Sequence, residues 1–283
     1  MLRRSGKPPS RPEGRFEETV SSHREAVMPL ARIATGIEGL DRMTAGGFVE
    51  RSANLVEGAP GTGKTTLGLQ FLVRGIEEKG EAGLYVTFEE FPAQLYADAA
   101  RMGWDLAAFE ADGKLRILFT TPMELLASLE EVDGTLEREI EEFCIRRVVV
   151  DSLSHFEFLT EDTFQLRDLE FRLVSALKRE GCTSVFLREN ANLLGDTNSL
   201  SRSPFVVDSF IILRYVELES AVSKAMLVLK MRGSAHATDI RRYRIAQGGI
   251  VVEDKFEGQE GILGGAPHKS RAQAFVEAFG RRR

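Results

Sequence analysis

Residues 58–66 decide the fold, and they read Gly58-Ala59-Pro60-Gly61-Thr62-Gly63-Lys64-Thr65-Thr66. The stretch fits the pattern G-x-x-x-x-G-K-[ST], follows an apolar run that ends at Glu57, and opens a segment of helical period. Glycines let the backbone fold closely around phosphate, and N–H groups at the beginning of a helix bind anions. The sequence therefore predicts a phosphate-binding loop in which Lys64 reaches the β- and γ-phosphates and Thr65 ligates Mg²⁺.

Short apolar runs alternate with longer segments of helical period on both sides of this loop. The pattern predicts an α/β fold with a mostly parallel central sheet flanked by helices. The predicted strands are Ala53–Glu57, Leu84–Phe88, Leu115–Phe119, Arg147–Asp151 and Ser184–Arg188. The predicted helices are Lys64–Glu78, Pro92–Met102, Pro122–Cys144 and Thr163–Glu180. Later connections are too short for helices, which predicts an antiparallel C-terminal extension of the sheet. Its strands are Phe205–Val216, Ala225–Met231, Arg241–Ala246 and Gly249–Glu253.

The composition excludes several classes of protein. The 283 residues are 43% hydrophobic and carry a formal net charge of −6, from 37 Lys+Arg against 43 Asp+Glu. This is too apolar for a disordered chain and too acidic for one that mainly coats nucleic acid. The absence of a long apolar run predicts no membrane span, and the polar N-terminus predicts a cytoplasmic location. Cys144 and Cys182 are predicted to be buried, reduced thiols.

Three regions follow from the distribution of Pro, Gly and charge. Residues 1–30 are rich in Pro and Arg and predict a flexible basic tail. Residues 31–256 hold the predicted sheet and form the folded domain. Residues 257–283 predict a Gly-rich linker and a short basic C-terminal helix, Ser270–Phe279.

Acidic residues follow two of the predicted strands. Asp151 comes directly after a β-branched run, at the strand end where ligands of open α/β sheets bind, so it is expected to hold Mg²⁺ through a water. Glu89 and Glu90 end another strand, so one of them can orient the attacking water. The ordinary alternatives are a helix cap for Asp151 and an acidic helix N-terminus before Pro92 for the glutamates. Spacing does not say which glutamate acts on water.

At this point the residues resemble a known family, the RecA-like ATPases of the KaiC family, from about Ile33 to Phe256. Four segments carry the resemblance: Thr35–Asp41 with Gly46-Gly47, Thr87-Phe88-Glu89-Glu90, Val148–Ser152, and Lys230-Met231-Arg232-Gly233-Ser234-Ala235-His236. The resemblance implies a RecA-like ATPase fold, ATP and Mg²⁺ as ligands, and a homohexameric ring. It also implies that Lys230 and Arg232 act in the ATP site of the adjacent subunit.

Lys230 and Arg232 have a physical interpretation of their own. They lie two apart at the end of a predicted strand, so both can project from one face before a glycine turn. Two cations opposite the phosphate site of another copy would stabilise charge that develops on the γ-phosphate. The alternative is a pair of solvated cations at a strand end.

Three functions compete. The first is a slowly hydrolysing ring ATPase that couples nucleotide state to a partner protein. The second is a DNA-binding recombination or repair accessory ATPase. The negative net charge of the chain does not favour it, and neither does the basic cluster Arg241–Arg244, because its charges would be divided between the two faces of a strand. The third is a scaffold with structural ATP. The family's clock protein carries two such domains in tandem and phosphorylates itself, whereas this chain holds one phosphate loop, so a clock role does not carry over and autophosphorylation stays open. Asn190 is either a γ-phosphate sensor or a turn former.

Overall fold

The strand order of the central sheet positions everything that follows. The computed structural model describes residues 30–131, 134–190, 206–218, 220–256, 259–262 and 268–269. Apart from Leu30, the predicted N-terminal tail lies outside these residues, as do most of the predicted linker and the predicted helix Ser270–Phe279. In the described part of the chain, nine strands form one sheet in the order Gly249–Lys255, Arg241–Ala246, Ala221–Met231, Ser209–Leu218, Ala53–Gly58, Thr183–Glu189, Ile145–Asp151, Ala82–Thr87 and Leu115–Phe119.

The strands of the structure are β1 Arg32–Ile33, β2 Phe48–Val49, β3 Ala53–Gly58, β4 Ala82–Thr87, β5 Leu115–Phe119, β6 Ile145–Asp151, β7 Thr183–Glu189, β8 Ser209–Leu218, β9 Ala221–Met231, β10 Arg241–Ala246, β11 Gly249–Lys255, β12 Gln259–Glu260 and β13 His268–Lys269. The helices are α1 Glu38–Met43, α2 Lys64–Lys79, α3 Pro92–Met102, α4 Leu106–Ala111, α5 Pro122–Ser128, α6 Thr135–Glu142 and α7 Thr163–Arg179, with a 3₁₀ helix at Leu153–Phe158.

The mostly parallel sheet with an antiparallel extension is confirmed. Strands β8, β3, β7, β6, β4 and β5, adjacent in this order, are parallel to one another. The predicted run that begins at Phe205 is strand β8, which starts only at Ser209 and lies parallel to β3. The antiparallel part therefore begins with the pairing of β8 and β9 and continues through β10 and β11.

Both faces of the sheet are covered, which is why its central strands are continuous apolar runs. In β6, Val149 packs on the face covered by α1 and α2, whereas Val148 and Val150 pack on the face covered by α5, α6 and α7. Each valine is at most 1% exposed. Strand β6 is thus fixed from both sides, which holds the residue at its carboxyl end in place.

Two sequence predictions are wrong. The single helix Pro122–Cys144 is two helices, since α5 ends at Ser128 and α6 begins at Thr135. Directly before α6, a Cβ atom at Gly134 would lie 1.8 Å from the Ser128 carbonyl oxygen, so the chain approaches α5 too closely there for a larger residue. Cys182 is buried as predicted, but Cys144 is exposed: it follows the end of α6 with a positive φ of 50°. Helix α4 and the 3₁₀ helix were not predicted. Among the described helices, none is long and apolar enough to cross a membrane.

Candidate active site

The phosphate loop connects the end of β3 to the first turn of α2. Gly61 and Gly63 have φ values of 74° and 101°, in the left-handed region that favours glycine. A Cβ atom at Gly63 would lie 2.7 Å from Ile245 Cδ1, and one at Gly58 would lie 2.6 Å from Thr62 Oγ1. The loop therefore has the shape of an anion cradle at a helix N-terminus, and larger side chains would not fit in it.

Lys64 is buried at the base of this loop. Its Nζ donates to the carbonyl oxygens of Gly58 at 2.9 Å and Ala59 at 3.2 Å. Burial lowers the pKa of the ammonium group, while the nearby carboxylates of Glu189 and Asp151 raise it. The loop thus holds a desolvated cation at the place where phosphate would bind.

Asp151 lies beside the helix that follows the loop. Its Oδ2 accepts from the Thr65 hydroxyl at 2.9 Å and from the Tyr85 hydroxyl at 2.5 Å. Burial raises the pKa of Asp151, and these two hydrogen bonds, together with Lys64 and His155, oppose that rise. A hydroxyl and a carboxylate are hard oxygen ligands of the kind that Mg²⁺ prefers, so the residues present fit this ion.

The predicted glutamate pair follows β4, whose last residue, Thr87, is in register with Asp151. The Thr87 hydroxyl donates to the Glu90 carbonyl and accepts from the Glu90 N–H, both at 3.1 Å, which fixes the turn. The Glu90 side chain is half-buried, and its Oε2 has no hydrogen-bond partner within the described part of the chain. Burial first, and then the charge of Asp151, raises the pKa of Glu90. Glu89 is mostly exposed.

These side chains face one open pocket with about 740 Å³ of empty space. The pocket is lined by Pro60, Gly61, Lys64, Thr65, Thr87, Glu89, Glu90, Asp151, Ser152, His155 and Glu189. The structure therefore brings together the predicted phosphate loop, the predicted Mg²⁺ residues and the predicted glutamates.

Asn190 lies at the end of β7, next to the loop. Its backbone N–H donates to the Gly58 carbonyl at 3.1 Å, and its Nδ2 donates to Glu57 Oε1 at 2.8 Å. Asn190 therefore links the end of β7 to the end of β3. A role of Asn190 as a γ-phosphate sensor stays a prediction.

Three residues at the loop were missed by sequence reasoning. The Tyr215 hydroxyl donates to the Pro60 carbonyl at 3.2 Å, the Lys224 ammonium to that of Gly61 at 2.8 Å, and the Tyr243 hydroxyl to that of Thr62 at 2.6 Å. They come from β8, β9 and β10. No local motif marks them, because only the order of the strands brings them to the loop.

Lys230 and Arg232 lie away from the pocket. Lys230 is opposite Phe210, which pairs with Leu55, and the Arg232 N–H donates to the Asp208 carbonyl at the beginning of β8. This is the amino end of the parallel strands, whereas the phosphate loop is at the carboxyl end. Asp208 lies five residues before Leu213, which pairs with Gly58, and residues five apart along a strand are roughly 16 Å apart. The Lys230 Nζ donates to the Val207 carbonyl at 2.8 Å, so both cations lie at the amino end, away from the phosphate loop of their own chain.

Fold and pocket together define a class of protein. One strand, β7, separates the strand of the phosphate loop from the strand that ends at Asp151, and the glutamate pair follows the next strand along, β4. This is a RecA-like P-loop ATPase fold with its ligand site at the carboxyl ends of the strands.

Comparison with known proteins identifies the particular family. The family model "ATPase: KaiC" matches residues 33–257, and the chain belongs to the KaiC ATPase family. It is 36% identical over 240 residues to the circadian clock oscillator protein KaiC of Picosynechococcus sp., covering 84% of this chain and 45% of that protein. It is 37% identical over 247 residues to the circadian clock protein KaiC3 of Synechocystis sp., covering 87% of this chain and 48% of that protein. The chain therefore spans less than half the length of these relatives.

Proposed function

We propose that this chain binds ATP with Mg²⁺ in the pocket and hydrolyses it slowly to ADP and phosphate. The observation that carries the proposal is the 2.9 Å hydrogen bond between Thr65 and Asp151 at the mouth of the glycine cradle. This bond joins a hydroxyl and a carboxylate beside the phosphate loop, and two such oxygen ligands support the proposal that the pair would hold Mg²⁺. Membership of an ATPase family supports the same reaction.

In this mechanism the loop N–H groups and Lys64 bind the phosphates, and Thr65 and Asp151 hold the metal. When bound, Mg²⁺ would neutralise charge on the β- and γ-phosphate oxygens. A water lies between the γ-phosphorus and the carboxylate of Glu89 or Glu90, which orients it for in-line attack. The new P–O bond forms as the bond to the bridging oxygen of ADP breaks, and the proton of the water passes to the carboxylate or to the phosphate.

The second part of the proposal is a closed ring of copies, six by resemblance to the family. Lys230 and Arg232 lie at the opposite edge of the sheet from the phosphate loop of their own chain. A head-to-tail contact repeated around an axis would bring them to the pocket of the next copy, where they would stabilise developing charge. Hydrolysis would then change the contact between subunits, and a partner protein would detect that change.

The proposed biological role is limited to this coupling of nucleotide state to a partner protein. Relatives of the chain are named as circadian clock proteins, but the chain spans less than half of their length, and a clock role is not part of the proposal. The cytoplasmic location stays a prediction. Transfer of phosphate to the chain's own hydroxyl groups is not required by this mechanism.

The test is phosphate release with Mg²⁺ and ATP, combined with light scattering. Wild type is compared with the double variant Glu89→Gln, Glu90→Gln, and with the matched control Glu77→Gln, Glu78→Gln on the exposed face of α2. The proposal expects slow release that the pocket variant abolishes and the control keeps, from particles that assemble with ATP. Assembly without turnover would instead indicate structural ATP, and release stimulated by single-stranded DNA would indicate the accessory ATPase.

A further inference from the structure

His155 lines the pocket but has no part in the mechanism above. It lies in the 3₁₀ helix that follows Asp151, and its side chain is 22% exposed. The imidazole ring packs against Phe88, with centroids 5.8 Å apart, and against Phe158, at 6.0 Å. Its Nε2 lies 3.5 Å from Glu89 Oε2. The ring is thus held on its sides by two aromatic residues and has one nitrogen directed at a member of the glutamate pair.

The opposite ring nitrogen has a partner in either protonation state. His155 Nδ1 lies 3.4 Å from both the hydroxyl and the carbonyl oxygen of Ser152. In the neutral ring, Nδ1 can accept from the hydroxyl and the proton stays on Nε2. In the charged ring, Nδ1–H can donate to the carbonyl and Nε2 is again protonated. In these two forms Nε2–H faces Glu89 Oε2 at 3.5 Å, whereas the neutral tautomer protonated on Nδ1 would donate to the Ser152 carbonyl and leave Nε2 without a proton.

Glu89 needs such a partner because its side chain is 77% exposed. A free glutamate side chain at the surface exchanges among several rotamers, and fixing it costs conformational entropy. A carboxylate that must orient a water needs a defined position. The contact with His155 keeps Glu89 at the wall of the pocket, where it is found.

We propose that His155 is a positioning residue for Glu89, which it holds toward the γ-phosphate side of the pocket through Nε2–H. The inference rests on the proposed ATPase function. His155 acts through the carboxylate and touches neither ATP nor the attacking water. The other charged groups that line the pocket around it are Lys64, Glu90, Asp151 and Glu189.

Kinetics give the first test. His155→Ala is expected to lower kcat by roughly two- to five-fold, the range of one partly exposed charged contact, with KM for ATP unchanged. His155→Gln keeps an N–H donor at a similar reach and is expected to recover most of kcat. An unchanged kcat in His155→Ala, or equal losses in the Ala and Gln variants, would overturn the proposal. Thermal unfolding of both variants checks that each is folded.

A spectroscopic test needs no turnover. The ¹⁵N chemical shifts of the His155 ring nitrogens are compared by NMR at one pH in nucleotide-free wild type, in Glu89→Gln, and in Glu161→Gln, a matched control at an exposed position outside the pocket lining. Loss of the contact with the carboxylate is expected to move the Nε2 signal in Glu89→Gln and to leave it unchanged in the control. The same Nε2 chemical shift in all three proteins would overturn the pairing. Absence of phosphate release from wild type would count against the proposed function and leave this result standing.

Discussion

At the scale of single residues, the hydroxyl of Tyr85 stabilises the carboxylate of Asp151. Tyr85 is fully buried on β4 and donates to Asp151 Oδ2. Without that donor, burial would raise the pKa of Asp151 further, and the carboxylate would hold a metal ion less well.

We therefore expect Tyr85→Phe to weaken Mg²⁺-dependent ATP binding about three- to ten-fold and to lower the free energy of unfolding by about 1 kcal/mol. Titration of a fluorescent ATP analogue at varied Mg²⁺ and denaturant unfolding measure the two effects. Tyr96→Phe is the matched control, because its hydroxyl bonds Glu110 outside the pocket. Equal Mg²⁺ dependence in wild type and Tyr85→Phe would contradict this role.

The raised pKa of Glu90 predicts how the stability of the folded protein depends on pH. Its pKa is raised in the folded protein, so the folded state binds the proton more tightly than the unfolded chain does. The free energy of unfolding then falls as pH rises from the usual glutamate pKa to the raised pKa of Glu90. Above the raised pKa, the loss of stability stays constant. Glu90→Gln should raise Tm at neutral pH, and this gain should disappear below the usual glutamate pKa, where the wild-type carboxyl is also neutral. Scanning calorimetry at several pH values measures Tm. A lower Tm for Glu90→Gln than for wild type at neutral pH would contradict the prediction.

The residues that sequence reasoning missed share one physical cause. The phosphate loop, Asp151 and the glutamates follow strand ends, so their position at one edge of the sheet can be predicted from local pattern. Tyr85, Tyr215 and Tyr243 are ordinary strand residues, and they reach the site only because of strand order and register. A single sequence without known pairing gives no signal for them.

At the scale of elements, helix α2 is fixed to β6 at both ends. Thr65 and Asp151 join the first turn of the helix to the carboxyl end of the strand. Near the other end of the helix, Arg147 is 1% exposed, donates to the Phe71 carbonyl at 2.9 Å and pairs with Glu81 at 2.7 Å. The buried guanidinium thereby helps to hold the helix that carries the phosphate loop.

Gly75 makes room for that guanidinium, since a Cβ atom there would lie 2.3 Å from Arg147 Nε. We expect Gly75→Ala to displace Arg147 and to lower the free energy of unfolding by about 1–3 kcal/mol, the usual range for overpacking a buried site. Denaturant unfolding measures this, with Lys79→Ala at the exposed end of α2 as the control. A free energy of unfolding equal to that of wild type would contradict this prediction, because Arg147 would then have moved without any loss of stability.

The elements that were predicted wrongly also have local causes. Helices α5 and α6 were joined because the apolar period continues through both, whereas Asp133-Gly134 is a turn signal that outweighs periodicity. The start of α5 was placed correctly, where Thr121 and Glu124 form a capping box. Helix α4 is short, and its signal is the cap of Asp105 on the Ala108 N–H.

At the scale of the whole molecule, the sheet separates two chemical surfaces. The acids and the phosphate loop lie at the carboxyl ends of the parallel strands. Lys178, Lys230 and Arg232 surround Asp208 at the amino ends. Because the two sets lie at opposite ends of the strands, the proposed role of Lys230 and Arg232 in the pocket of another copy requires at least two copies for full turnover.

Mixing two inactive variants tests this most directly. One carries Glu89→Gln with Glu90→Gln, and the other carries Lys230→Ala with Arg232→Ala; they are combined in equal amounts before ATP and Mg²⁺ are added. Each alone should release little phosphate, while random mixing in a ring should restore up to about a quarter of wild-type activity, the share of contacts that join an intact pocket to intact cations. An affinity tag on one variant that retains the untagged other variant confirms that the two assemble together. Mixed assemblies that release no more phosphate than the two variants measured separately would contradict the account.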